Sequence, residues 1–177
     1  MQKLIIIRGY PGSGKTTVGK LLEQNGIGRF VDHNMILTFL ANIVGDDDDI
    51  YDEIAQLEQA MCRKILSKGE SAIVARGFSS TNSIDEYVNI AKKLNIKPII
   101  IRLDVEESVL VKRVQSPERK LDFNPTIDEA HVKEWIAGNP LESYENEIVI
   151  DNEQPLSVVI DVITNVVKSE NYSHDTI

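Results

Sequence analysis

The chain of 177 residues contains a single cysteine, Cys62, so no disulfide can form within it. A lone thiol is typical of proteins that stay in a reducing compartment. No stretch approaches the roughly 18 consecutive apolar residues that a membrane-spanning helix needs. The short apolar run after Lys3 is not followed by the cleavage site of a signal peptide. We therefore expect a cytoplasmic protein without a membrane segment.

Basic residues are scarce. The chain has 19 Lys and Arg against 28 Asp and Glu, and its net charge is therefore −9. A surface this acidic argues against broad, non-specific nucleic-acid binding, which needs many cations facing phosphates. Much of the acid is concentrated in an aspartate run at 46–49 and in the segment 142–153. A local cationic site stays compatible with this balance, and the cations near predicted strand ends and a predicted lid are Arg8, Lys15, Arg76, Arg113 and Arg119.

The chain lacks internal repeats and linkers rich in Pro or Ser, and short apolar runs alternate with stretches of helical period. This alternation predicts parallel strands joined by helices within one domain, 1–168, followed by a frayed tail, 169–177. One helix face is predicted from the spacing of Ile50, Ile54, Leu57, Met61 and Ile65. The predicted strands are 4–7, 27–31, 71–75, 98–103 and 147–150.

Residues 9–16 read Gly-Tyr-Pro-Gly-Ser-Gly-Lys-Thr and match the P-loop pattern G-x-x-x-x-G-K-[ST] between a predicted strand and a predicted helix. The glycines let successive backbone N–H groups point at phosphate oxygens, and the helix N-terminus adds partial positive charge. Lys15 is expected to reach the β- and γ-phosphates of ATP, and the Thr16 hydroxyl to ligand Mg²⁺. The predicted nucleotide-binding residues are Gly9, Pro11, Gly12, Ser13, Gly14, Lys15, Thr16 and Thr17.

A phosphate cradle does not name a reaction, but the chain lacks the Asn-Lys-x-Asp motif that reads guanine and the Asp-Glu strand end of motor ATPases. The loop, together with Leu-Val-Lys-Arg at 110–113 and Glu-Arg-Lys at 118–120, resembles the small P-loop kinases. These include bacteriophage-type 5′-hydroxyl polynucleotide kinases, zeta toxins and nucleoside or nucleotide kinases. The resemblance covers about 3–168. It implies a three-layer α/β P-loop fold, a five-stranded parallel sheet in the order 2-3-1-4-5, and a short lid at about 115–125.

The resemblance also implies residues on the nucleotide side. Arg113 ends the helix before the lid and Arg119 lies within it, where guanidinium groups neutralise the transferring phosphoryl group. Arg113 is also expected to lie against adenine, and the alternative for both is a solvated basic run. The segment 148–155 resembles the loop that often lines adenine in these kinases, although capping of a helix by Asp151 or Asn152 is the preferred explanation.

On the acceptor side, the resembling kinases carry a catalytic carboxylate just past the second strand. Asp32 is the only acid there and is predicted to accept or orient the acceptor proton, with helix capping as the alternative. A different alignment places the family base on Asn34, which cannot accept a proton in this way. We expect Asn34 and His33 to contact substrate. Since histidine generally titrates near neutral pH, His33 is also a candidate for proton transfer, against a purely structural role.

Arg76 ends the third predicted strand, and ligands bind outside the carboxyl ends of parallel strands. An arginine there indicates an anionic acceptor, and the alternative is a salt bridge to Asp32 or to the aspartate run. Phe78 is predicted either to stack on a base or to cover the end of the sheet.

The leading hypothesis is therefore an ATP- and Mg²⁺-dependent kinase that resembles polynucleotide 5′-hydroxyl kinases. A kinase of a nucleoside, nucleotide, sugar or antibiotic is the alternative, and a non-catalytic ATP-binding regulatory protein is a third reading. The acceptor, a nucleic-acid 5′ end or a small anionic molecule, and the oligomeric state are not encoded in a readable motif.

Overall fold

The computed structural model describes residues 2–45, 50–116 and 127–169. The predicted lid lies almost entirely outside these residues, as do Arg119 and the aspartate run. The described elements, in chain order, are β1 (Leu4–Arg8), α1 (Lys15–Gln24), β2 (Arg29–Val31), α2 (His33–Val44), α3 (Ile50–Ser67), β3 (Ala72–Arg76), α4 (Thr81–Lys93), β4 (Pro98–Asp104), α5 (Glu107–Val114), α6 (Glu129–Gly138), β5 (Ile148–Asp151) and α7 (Leu156–Lys168).

The strands form a parallel sheet in the order β2-β3-β1-β4-β5. This order and the α/β architecture confirm the fold that the resemblance implied. Strand β1 lies at the centre, between β3 and β4, and is completely buried. Its continuous Leu-Ile-Ile-Ile run fits this position, because a central parallel strand is covered by helices on both faces.

Two apolar cores lie on opposite faces of the sheet. Leu4 and Ile6 of β1 point into a core that also contains Ile84 and Ala91 of α4. Alternate residues of β1 point into the second core, which contains residues of α1 and α7. Because successive side chains of β1 point to opposite faces of the sheet, β1 packs against helices on both faces. This packing fixes the position of the loop that follows β1.

Helix α3 buries a different stripe from the one that its apolar residues predict. Leu57 and Met61 are largely exposed. The buried positions recur every four residues and are Ile50, Ile54, Glu58, Cys62 and Leu66. The prediction of the helix and of Ile50 and Ile54 on its buried face was right, whereas Glu58 and Cys62 take the places expected for Leu57 and Met61. The reason is that the tertiary structure gives the Glu58 carboxylate buried polar partners that a sequence pattern cannot reveal.

No helix in the described part of the chain is both long and apolar enough to cross a membrane. The carboxyl ends of the strands meet at one edge of the sheet, where Arg8 of β1 is in register with Arg76 of β3 and Arg102 of β4. Ligands of parallel α/β sheets bind outside this edge. The fold therefore places the loop after β1 and the end of β3 beside each other.

Candidate active site

The P-loop connects the end of β1 to the first residue of α1 and takes a backbone that favours glycine. Gly12 and Gly14 have φ values of +84° and +90°, in the left-handed region. A Cβ atom on Gly14 would lie only 2.6 Å from the side-chain nitrogen of Asn152. Position 14 therefore requires a glycine for two reasons, the left-handed backbone conformation and the close approach of the loop after β5.

Lys15 begins α1, and its ammonium group turns back over the P-loop. The Nζ atom donates hydrogen bonds to the carbonyl oxygens of Gly9 and Tyr10 at 2.9 and 2.8 Å. It also lies 3.5 Å from the hydroxyl of Ser13, a residue that is almost fully buried. The loop thus concentrates a cation and several backbone groups in one place, which is the arrangement that binds phosphate.

A cleft of about 770 Å³ opens around the P-loop. Because β1 is central, the elements that line the cleft fall on two sides of the loop. The side of β4 and β5 contributes Val109, Lys112, Arg113, Asn152, Gln154 and Leu156, and the side of β3 and α2 contributes His33, Asn34, Leu37, Ala75, Arg76 and Gly77. The predicted residues Pro11, Gly12, Gly14, Lys15, Thr16 and Thr17 lie between them.

The charge of the cleft is opposite to that of the whole chain. Four of its lining side chains are cationic, namely Lys15, Arg76, Lys112 and Arg113, and none of the described lining residues is Asp or Glu. In a protein with a net charge of −9, this segregation creates a local positive potential. The cleft is therefore suited to anions on both sides of the P-loop.

The side of the cleft formed by β4 and β5 is held together by Asn152, which is 4% exposed. Its side-chain nitrogen donates to the carbonyl oxygen of Ser13 at 2.6 Å, and its own carbonyl accepts from Nη2 of Arg113 at 2.6 Å. Arg113 thus lines the cleft where it was predicted, and Asn152 ties the loop after β5 to the P-loop. Arg119, its predicted companion, lies outside the described residues.

Asp32 is nearly buried and caps α2. Its Oδ1 atom accepts from the backbone N–H of Asn34 at 3.0 Å, and its Oδ2 atom lies 3.2 Å from the ammonium group of Lys20. Asp32 is not among the residues that line the cleft. Asn34 does line it, and its side-chain nitrogen is 3.4 Å from the Thr16 hydroxyl. The catalytic role of Asp32 stays a prediction.

Glu58 of α3 was missed by the sequence analysis and lies at the centre of a buried polar cluster. Its Oε1 atom is 2.8 Å from Nδ1 of His33, and its Oε2 atom accepts from the Tyr87 hydroxyl at 2.7 Å. The guanidinium group of Arg76 lies 3.3 Å from the same Oε2 atom. Burial and the adjacent Glu58 carboxylate raise the pKa of Tyr87, so its hydroxyl stays a donor.

Arg76 lines the cleft and also pairs with a carboxylate, and its role in acceptor binding stays a prediction. The carboxylate is that of Glu58 rather than Asp32, and the aspartate run that was the other alternative lies outside the described residues. Phe78 is buried outside the cleft lining, with its ring 5.7 Å from the Arg76 guanidinium carbon and in edge-to-face contact with Tyr87 at 5.3 Å. Its position fits the role of covering the end of the sheet.

Two further aromatic residues line the cleft, Tyr51 and Trp135, and neither was singled out from the sequence. Trp135 packs edge-to-face against Tyr10 at 5.6 Å, and a Cβ atom on Gly77 would lie 2.7 Å from its ring. Trp135 is the only tryptophan of the chain, and its rarity was the one feature of the sequence that could have singled it out as a candidate site residue.

Arg8 is completely buried and does not line the cleft. Its Nη2 atom donates to the carbonyl oxygen of Glu142, and its Nε atom lies 3.5 Å from the carboxylate of Glu147. Burial lowers the pKa of Arg8 from its ordinary value, and Glu147 opposes this shift. Its contacts are those of a residue that joins β1 to the segment before β5.

The residues present fit a nucleoside triphosphate with Mg²⁺. The described residues hold no group of three or more His, Cys, Asp or Glu that could bind a metal by themselves. Mg²⁺ in phosphoryl-transfer sites needs only one or two protein ligands, because phosphate oxygens and waters complete its shell. Thr16 lines the cleft, and its hydroxyl is of the chemical type that such a ligand requires, so its role as a ligand stays a prediction.

Comparison with known proteins agrees with this geometry. A kinase candidate from Chloroflexus aurantiacus superposes with a TM-score of 0.75 at 17% identity, covering 96% of this chain and 98% of that one. A gluconokinase from Sinorhizobium meliloti superposes with a TM-score of 0.64 at 16% identity, covering 93% and 91%. The Mycobacterium tuberculosis APS kinase CysC, solved with AMPPNP and APS, gives 0.66 at 13% identity, covering 95% and 98%.

A chain of the Pnkp1/Rnl/Hen1 RNA repair complex superposes with a TM-score of 0.63 at 19% identity, covering 77% of this chain and 43% of that one. Comparison with curated protein sequences returns no match. A family model described as "AAA domain" matches residues 4–139, which include the P-loop, His33, Glu58 and Arg76. The chain therefore belongs to this AAA domain family, and its fold is that of P-loop kinases.

Proposed function

We propose that the protein transfers the γ-phosphate of ATP to a hydroxyl group of a small anionic acceptor. The observation that carries the proposal is that every charged side chain among the described lining residues of the cleft is a cation, on both sides of the P-loop, in a chain with a net charge of −9. In this proposal ATP binds on the side of β4 and β5, where Lys112 and Arg113 line the cleft. The acceptor binds on the side of β3 and α2, where Arg76 lines it. An arginine held by a buried carboxylate is a pre-organised partner for phosphate, sulfate or carboxylate.

The residues of the chain would act mainly by positioning and by charge stabilisation. The P-loop N–H groups and Lys15 bind the β- and γ-phosphates, and Lys15 exchanges its contacts with Gly9 and Tyr10 for phosphate oxygens. The Thr16 hydroxyl would hold Mg²⁺, which would neutralise charge on the phosphates. Arg113, tied to Asn152, confines the nucleotide between α5 and the loop after β5.

A second candidate is phosphorylation of a nucleic-acid 5′ hydroxyl, which the likeness to a chain of the RNA repair complex supports over 77% of this chain. The full-length likeness to the gluconokinase and the APS kinase supports a small acceptor. A non-catalytic ATP-binding protein is the third candidate.

A transfer assay with radiolabelled ATP and Mg²⁺ separates these candidates. The acceptors are gluconate, adenosine 5′-phosphosulfate and a 5′-hydroxyl oligonucleotide, together with a sample that holds no acceptor. We expect label to reach one of the two small acceptors, and Lys15→Met to abolish transfer. Label on the oligonucleotide alone would favour the second candidate. Tight ATP binding without transfer to any acceptor would favour the third.

A further inference from the structure

A histidine on the cleft wall is held by a buried carboxylate. His33 is half-buried at the start of α2 and lines the cleft, whereas Glu58 is 1% exposed. Oε1 of Glu58 lies 2.8 Å from Nδ1 of the imidazole ring. A carboxylate accepts only from a protonated Nδ1, so the neutral ring carries its lone pair on Nε2, on the opposite side.

The cleft offers few other proton acceptors. None of its described lining residues is Asp or Glu, and both oxygens of Asp32 are engaged, one with a backbone N–H and one with Lys20. Asn34 has no basic atom at neutral pH. We propose that His33, held by Glu58, accepts the proton of the acceptor hydroxyl; this inference rests on the proposed function and names the general base of that reaction.

In the proposed step the acceptor O–H bond breaks, and its proton moves to Nε2 of His33. At the same time the acceptor oxygen forms a bond to the γ-phosphorus. The bond between the γ-phosphorus and the oxygen that bridges to the β-phosphate breaks, and ADP leaves with that electron pair. The imidazolium, stabilised by the Glu58 carboxylate, then releases its proton to solvent.

Glu58 is a positioning residue, because it acts through the imidazole. Its second oxygen accepts from Tyr87 of α4 and pairs with Arg76 of β3, so the carboxylate cannot rotate away from His33. Among the described residues, Tyr87, Arg76 and the neighbouring pair of Asp32 with Lys20 are the charged or titratable groups that these contacts place around Glu58 and His33. Tyr87 stays a neutral donor, because burial and the Glu58 carboxylate raise its pKa.

The test measures single-turnover phosphoryl transfer to whichever of the three acceptors the wild-type protein phosphorylates. We expect His33→Ala to lower the rate by about 10²- to 10⁴-fold, as for loss of a general base. The Kd of ATP, from fluorescence titration, is expected to stay within about twofold of wild type, a free-energy change of roughly 0.4 kcal/mol. Asp32→Asn is measured beside it, and the comparison of the two rates decides which residue accepts the proton.

The matched control is His131→Ala. His131 also pairs through Nδ1 with a carboxylate, Asp128, at 2.8 Å, but it is exposed on α6 and does not line the cleft. This variant is expected to keep the wild-type rate. Circular dichroism melts of all variants establish that the fold is intact, and His33→Gln is a second variant if His33→Ala does not fold.

Two readouts separate a base from a structural residue. Added imidazole is expected to restore part of the rate of His33→Ala, and the low-pH limb of the wild-type rate profile is expected to vanish in that variant.

In Glu58→Gln, the amide oxygen faces Tyr87 and Arg76, so its NH₂ group faces Nδ1 and favours the opposite tautomer. We expect the rate to fall and the ¹⁵N signals of His33 to report a protonated Nε2.

The outcomes distinguish this inference from the proposed function. Wild-type transfer combined with an undiminished rate in His33→Ala would overturn the inference alone. Loss of the rate in Asp32→Asn with retention in His33→Ala would assign the base to Asp32. Absence of transfer by wild type to all three acceptors would overturn the proposed function and the inference with it.

Discussion

The side-chain amide of Asn152 donates a hydrogen bond of 2.6 Å to the carbonyl oxygen of Ser13, and this contact joins the loop after β5 to the P-loop. Both residues are almost completely buried. The same asparagine accepts from Arg113 through its backbone carbonyl. One residue thus holds the phosphate cradle and the arginine beside it in fixed relative positions.

The first prediction concerns this contact. Asn152→Ala leaves a buried carbonyl without its partner, which costs about 1–3 kcal/mol, and frees the P-loop from the loop after β5. We expect a lower melting temperature and a several-fold weaker affinity for ATP, measured by calorimetry. Ser169→Ala is the control, since it removes a side-chain hydrogen bond to the Val166 carbonyl oxygen, 2.8 Å long, at the end of α7 and outside the cleft lining. Unchanged ATP affinity in a folded Asn152→Ala protein would contradict the prediction.

The second prediction separates backbone strain from steric contact in the P-loop. Gly14 and Gly26 both have positive φ, +90° and +71°, but only a Cβ on Gly14 would meet a neighbour, Asn152. Gly26→Ala is expected to lower stability by about 1–2 kcal/mol through strain alone and to leave ATP binding unchanged. Gly14→Ala is expected to weaken ATP binding by about tenfold or more, which corresponds to 1.4 kcal/mol. Equal ATP affinities in the two variants would argue against the contact.

The third prediction concerns acceptor binding. Arg76→Gln removes a charge-assisted partner worth about 1.5–3 kcal/mol, so the KM of an anionic acceptor is expected to rise while that of ATP stays the same. Steady-state kinetics at varied acceptor and ATP measures this split. Arg102→Gln is the matched control, because Arg102 occupies the corresponding register position on β4 but pairs with Glu147 outside the cleft. An unchanged acceptor KM in Arg76→Gln would exclude Arg76 from acceptor binding.

The fourth prediction concerns stability at alkaline pH. Burial, and then the Glu58 carboxylate, raise the pKa of Tyr87 above its ordinary value of 10.0. The native tyrosine therefore keeps a proton that the unfolded chain loses above about pH 10, and the free energy of unfolding falls by about 1.4 kcal/mol per pH unit above that value. Below pH 10 this contribution is fully present. Urea unfolding between pH 8 and 11 measures the slope, which is expected to be shallower in Tyr87→Phe.

Tyr144 adds a smaller effect of the same sign. Burial, and then the hydrogen bond from its hydroxyl to Asp85, raise its pKa from 10.0 to about 12. Tyr144→Phe thus serves as a comparison for Tyr87→Phe, because both variants remove one tyrosine bonded to a carboxylate. Equal slopes in wild type and in both variants would contradict the assignment.

The local features of the site were predictable from the sequence because neighbouring residues build them. The P-loop needs only a strand, a run of glycines and the first turn of a helix, all within 4–24. The parallel sheet follows from apolar runs that alternate with helical stretches. The strand order came from the resemblance, since several orders bury the same apolar faces.

The cluster around Glu58 was not predictable in the same way. Its members, His33, Arg76 and Tyr87, come from three other elements, and each alone is compatible with an exposed position. The apolar spacing of α3 favours Leu57 over Glu58 for the core, but the carboxylate is buried because three donors surround it.

The sequence by itself determined that this protein has a P-loop between a strand and a helix, an excess of negative charge and a single cysteine. The P-loop depends only on residues adjacent in the sequence, and the net charge and the number of cysteines follow from the composition. Only the tertiary structure decided that the charged side chains among the described lining residues of the cleft are all cations, and that Asp32 lies beside Lys20. It also decided that His33 is held by Glu58, because hydrogen bonds between distant elements depend on how the helices pack on the sheet.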